Sequence, residues 1–101
     1  MTTAKQKILI AEVTARLETA DKVEELLSDY GHVVRNEPGN EAFVCYRVDG
    51  QREKFVVYEI YADEAAFQAH LSAPENATLN AALAPLVEGN GSTLTFLQRV
   101  D

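Results

Sequence analysis

The chain has 101 residues, 47% hydrophobic and 25% charged, with a formal net charge of −7 and one cysteine. That length fits a single domain over residues 1–101, and the balance is that of a folded globular protein rather than a disordered one. A surface this acidic repels phosphate backbones and anionic lipid headgroups, so neither nucleic acid nor membrane is an expected partner. The lone Cys45 allows no internal disulfide, which suits a cytoplasmic location.

Met1–Gln6 is polar and is expected to be a frayed tail, with no secretory signal in it. Lys7–Leu17 (KILIAEVTARL) alternates as a strand, Ile8 and Ile10 on one side and Leu9, Ala11, Val13 and Ala15 on the other. Thr19 or Asp21 is placed to cap a helix in which Val23, Leu26, Leu27, Tyr30 and Val34 form one apolar stripe. Asp21, Glu24, Glu25 and Asp29 fall on its solvated side. Pro38-Gly39 ends this unit. Glu41–Val48 and Lys54–Tyr61 are rich in β-branched and aromatic residues and flank Asp49-Gly50, a hairpin pattern. Asp63 caps a second helix carrying Phe67 and His70; Pro74 interrupts it, and Asn76–Leu86 is again helical. Gly89-Asn90-Gly91 turns the chain into a last strand, Thr93–Arg99.

The order is β-α-β-β-α-β, an α+β ferredoxin-like arrangement: a four-stranded antiparallel sheet with helices on one face. Such a sheet normally leaves its other face polar. Here Val44 and Tyr46 oppose Phe43 and Cys45, while Val56, Tyr58 and Ile60 oppose Val57 and Tyr61, so both faces are apolar. The helices cover one; a second copy of the sheet is the simplest cover for the other, which predicts a two-fold homodimer.

Zinc-type Cys/His spacing, a phosphate-binding glycine loop and a nucleophile elbow are all missing from the sequence, so no metal or cofactor site is expected. The remaining concentration of chemistry is at the end of the third strand and on the helix after it. Glu59 and Tyr61 are two apart and share a face; if that face is the helix-covered one, they converge with Phe67 and His70. A histidine there can move protons, and a carboxylate can set its tautomer. The same pair could equally be a structural hydrogen bond in a half-buried layer. Tyr46, which also reads as an interface residue, and Val13, at the end of the first strand, complete the candidate substrate-binding set with Tyr61 and Phe67.

Over Lys7 to Arg99 the chain resembles the antibiotic biosynthesis monooxygenase domain family, small dimeric α+β-barrel proteins. The resemblance rests on ADKVEELL, on the Glu37-Pro38-Gly39 turn, and on VYEIYADEAAFQAHLSAP, where Tyr58, Glu59, Asp63, Ala69, His70 and Leu71 match the family pattern. It implies cofactor-independent oxygenation of a small aromatic or quinol by O2, in a pocket between sheet and helices. His70 would be the base or orienter, Glu59 its partner, and Tyr61 and Phe67 the stacking wall. The sequence departs from the family at Tyr61, where tryptophan is usual. Relatives that degrade haem carry an Asn, a Trp and a His where this chain has Val13, Tyr61 and a histidine-free segment around Asn80, so haem degradation is not expected. The scaffold also resembles isomerases and degradation enzymes of small signalling molecules. An isomerase, and a non-catalytic ligand-binding or stress-response protein, therefore stand as alternatives.

Overall fold

A computed structural model describes residues 5–89 and 91–101. The expected tail therefore lies largely outside the described residues, as does Asn90 of the expected turn. At its described end, the Gln6 amide donates to Glu41 Oε1 at 2.5 Å.

Strand β1 (Lys7–Thr14) leads through a 3-10 turn (Leu17–Thr19) into helix α1 (Ala20–Val34). Strands β2 (Asn40–Arg47) and β3 (Lys54–Tyr61) follow, then helices α2 (Glu64–Ser72) and α3 (Pro74–Leu83), a 3-10 turn (Ala84–Leu86) and strand β4 (Thr93–Leu97). The strands pair antiparallel in the order β2-β3-β1-β4. This is the expected ferredoxin-like sheet, with β1 and β3 central and the helices packed on one face.

The periodicities sort residues to the two faces as expected. Val23, Leu27, Tyr30 and Val34 of α1 are buried against Leu9, Ala11 and Val13 of β1 and Phe55, Val57, Glu59 and Tyr61 of β3. One strand period of two and one helix period near four thus point at the same layer. On the opposite face Val44 and Tyr46 stay 40% and 56% exposed. That face is apolar, and none of the described elements covers it.

Three local details set the site. Thr19 does not cap α1 with its side chain; its hydroxyl donates instead to the Leu86 carbonyl at 2.6 Å, tying the start of α1 to the end of the later helices. Asp63 does cap α2, its Oδ1 accepting from the Ala66 amide at 2.8 Å. Between α2 and α3, Ala73 takes extended dihedrals (φ −65°, ψ 137°) because the Pro74 ring disfavours helix before it. Pro74 then sits in the first turn of α3, where its missing amide hydrogen costs nothing. The break lets α2 and α3 take different directions over the sheet.

Candidate active site

The site is built from the inner face of β3, the C-terminal half of α2, the loop after α1 and the start of α3. Glu59 and Tyr61 both point inward, as their spacing requires, and the Tyr61 hydroxyl donates to Glu59 Oε1 at 2.7 Å. His70, one turn beyond Phe67 on α2, is 5% exposed and lies over both. Its ring centre is 4.9 Å from that of Tyr61 and 6.4 Å from that of Phe67. The convergence of Glu59, Tyr61, Phe67 and His70 expected from the sequence is present.

The histidine is held by a residue the sequence did not single out. Its Nδ1 lies 3.0 and 3.2 Å from the two carboxylate oxygens of Glu37. A carboxylate only accepts, so Nδ1 carries the hydrogen and Nε2 is left with its lone pair in the neutral ring. Nε2 makes no hydrogen bond among the described residues; Glu59 Oε1, at 3.9 Å, is beyond hydrogen-bond range. The pair imagined as His70 with Glu59 is thus a line of groups, Glu37–His70···Glu59–Tyr61, in which Glu37 makes the short contact. Glu37 could be seen in the sequence only as the residue before Pro38-Gly39. Its partner is 33 positions away, and no periodicity links them.

The loop reaches His70 because Gly39 lies flat against α2. A Cβ on Gly39 would collide with Cβ of Ala66, and the Gly39 carbonyl accepts from the Ala62 amide at 2.9 Å. Glycine is needed there for close approach.

Burial raises the Glu59 carboxyl above its ordinary value, against the lowering pull of the Tyr61 hydroxyl and of His70, with Glu37 nearby adding to the rise. Burial also pushes the Tyr61 phenol far up, and Glu59 beside it does the same. Burial thus shifts both groups toward the protonated form.

A cleft of about 630 Å³ opens over this row between sheet and helices. His70, Glu59, Phe67 and Val13 line it, with Leu9, Ala11, Leu27 and Val57 forming an apolar floor. Two expectations are corrected in placement. Tyr61 is fully buried and does not line the cleft; it stands behind His70 and Glu59 as their support. Tyr46 is on the opposite face of the sheet, because its odd spacing from Phe43 turns it outward, and it borders a separate groove between α1 and β2. No group of three or more His, Cys, Asp or Glu side chains among the described residues could hold a metal ion. No described helix is long and apolar enough to cross a membrane.

Solved structures share this architecture. A Pseudomonas aeruginosa protein, PA3566, aligns over 100% of both chains with a TM-score of 0.90 and 20% identity. Rv0793 of Mycobacterium tuberculosis aligns with a TM-score of 0.86 at 21% identity, covering 96% of this chain and 97% of its own. A Deinococcus radiodurans structure, described as a candidate antibiotic biosynthesis monooxygenase, gives 0.85 at 22% identity over 94% and 93%. At these identities the likeness shows the fold. No curated protein matches the sequence. The family model for antibiotic biosynthesis monooxygenases matches residues 8–82, which takes in β1 through most of α3 and every member of the Glu37–His70–Glu59–Tyr61 row, and the chain belongs to that family.

Proposed function

We propose that the protein is a cofactor-independent monooxygenase that oxidises a small phenol or quinol with O2 in the cleft over His70. The observation that carries this reading is that His70 lines a 630 Å³ cleft with an apolar floor, its Nδ1 held by Glu37 and its Nε2 without a hydrogen bond among the described residues. A phenol bound with its hydroxyl at Nε2 loses its proton to the imidazole, and Glu37 stabilises the imidazolium that forms. The resulting anion is electron-rich enough to reduce O2 itself. For a phenol with a free para C–H, one O2 adds one oxygen to the ring, the other leaves as water, and the product is the quinone. The chain's part is to bind, desolvate and deprotonate. Glu59, with Tyr61 donating to it, borders the same space as a second titratable group. Phe67 and Val13 supply apolar wall.

The expected homodimer and cytoplasmic location belong to the same proposal. The apolar outer face of the sheet, with Val44 and Tyr46 exposed, supports the dimer. Cys45, which has no partner cysteine in the sequence, is compatible with a reducing compartment. A cleft that reaches His70 disfavours the reading in which that space is filled and inert.

The test is O2 consumption by the purified protein with a panel of quinols and polycyclic phenols. Uptake that depends on protein and falls at least 100-fold in His70→Ala supports the proposal, on the scale of a lost general base (about 10²–10⁴ in rate). Turnover of an enolisable substrate without O2 would instead establish an isomerase. No uptake across the panel would end the oxygenase reading.

A further inference from the structure

The cleft has a second polar end that the proposed proton transfer does not use. Tyr30, on α1, lines it and is 7% exposed. The amide nitrogen of Asn76, in the first turn of α3, donates to the Tyr30 hydroxyl at 3.0 Å. Asn76 is itself oriented, because its Oδ1 accepts from Asn80 Nδ2 at 3.2 Å. The relay runs in one direction, Asn80 to Asn76 to Tyr30. It fills an acceptor position on the hydroxyl and leaves the hydroxyl hydrogen to be donated. Among the described residues nothing accepts it. A hydroxyl hydrogen without a protein acceptor at a cleft wall is normally taken up by a ligand or by water.

The lining settles what kind of ligand. Among the described residues it contains no lysine or arginine; its ionisable groups are Glu59, His70 and the Tyr30 phenol. With Glu37 behind His70 and a net charge of −7, a carboxylate or phosphate entering the cleft finds no lysine or arginine to pair with and an acidic surround that disfavours it. The ring centres of Tyr30 and His70 are 6.0 Å apart, so the donor and the base can address one small bicyclic molecule.

We propose that Tyr30, aimed by Asn76 and Asn80, donates its hydroxyl hydrogen to a carbonyl-type oxygen of the ligand, so that the cleft selects uncharged aromatic molecules bearing such an acceptor and rejects their carboxylate analogues. The inference deepens the reading of this cleft as the ligand site and adds a residue that decides specificity. Burial pushes the Tyr30 phenol up to about 12, against the lowering pull of Asn76, so it stays a neutral donor across the physiological range.

The experiment is calorimetric titration of the wild type, Tyr30→Phe and Asn76→Ala with three probes of one size: 1-tetralone, naphthalene and 1-naphthoate. The wild type should bind tetralone, bind naphthalene more weakly, and bind naphthoate at least tenfold more weakly than tetralone. Tyr30→Phe, which keeps the ring and its packing, should weaken tetralone about three- to tenfold, the scale of one hydrogen bond, and leave naphthalene unchanged. Asn76→Ala should show a smaller loss of the same selectivity. Tetralone bound equally by wild type and Tyr30→Phe, naphthoate bound as tightly as tetralone, or no binding of tetralone to the wild type would each overturn the proposal. Binding is read without turnover, so failure of O2 uptake leaves this inference standing, and uptake with an unchanged Tyr30→Phe titration rejects it alone.

Discussion

Glu59 is a carboxyl placed where its charged form is disfavoured, and that has a measurable consequence for stability. Its ordinary value is 4.5 and burial raises it in the fold. The folded state therefore holds the proton more tightly than the unfolded chain does. The stability this contributes is complete below about pH 4.5 and is lost as pH rises through the raised folded value. Glu59→Gln keeps the shape and an acceptor for Tyr61 but removes the charge. Its melting temperature should match the wild type near pH 4 and rise above it as pH increases to 7. Thermal unfolding of both proteins at several pH values checks this, and a gap that stays constant with pH would refute it. The sequence located Glu59, Tyr61, Phe67 and His70 because a strand spacing of two and a helix spacing of three are local geometry. It could not rank their contacts, and it assigned to Glu59 the short bond that Glu37 makes.

At the scale of elements, the loop after α1 matters more than its length implies. Glu37 reaches His70 because Gly39 lets the loop touch Ala66 on α2. Gly39→Ala forces either the loop or α2 to move, and the far side of the contact is a short side chain on a capped helix that cannot swing away. A loss of about 1–3 kcal/mol is expected, the range for overpacking a tight contact, and is read from urea denaturation. The His70 Nδ1–H resonance should shift as well, because the displaced loop carries Glu37; an unchanged resonance would show that the loop does not position the imidazole. The strand and helix boundaries were largely legible, with β3 read as Lys54–Tyr61 and β2 one residue off at each end. The role of Thr19 was not. Its hydroxyl has a choice between a local amide and a carbonyl 67 residues away, and only packing decides that.

At the scale of the whole molecule, the outer face of the sheet is the unresolved demand. Val44 and Tyr46 project from it, and Leu97 of β4, which pairs with Ile8 on that face, is also 39% exposed. A homodimer should give a sedimenting mass near twice 11.1 kDa. The double variant Val44→Asp, Tyr46→Asp should sediment as a monomer, because two carboxylates buried in a sheet-to-sheet seam would lack partners. A monomeric wild type would reject the dimer, and Tyr46 would then be an exposed surface residue.

The sequence by itself determined the element order, the two-faced hydrophobicity of the strands and the residues of β3 and α2 that meet, since all of these follow from backbone periods of 2 and 3.6 residues. Only the tertiary structure decided which groups share a hydrogen bond across the fold. It brought Glu37 to His70 and Asn76 to Tyr30, and buried Tyr61 behind the cleft. The reason is physical: contacts between residues 33 or 46 positions apart depend on how helices dock on a twisted sheet, and no local repeat encodes that docking.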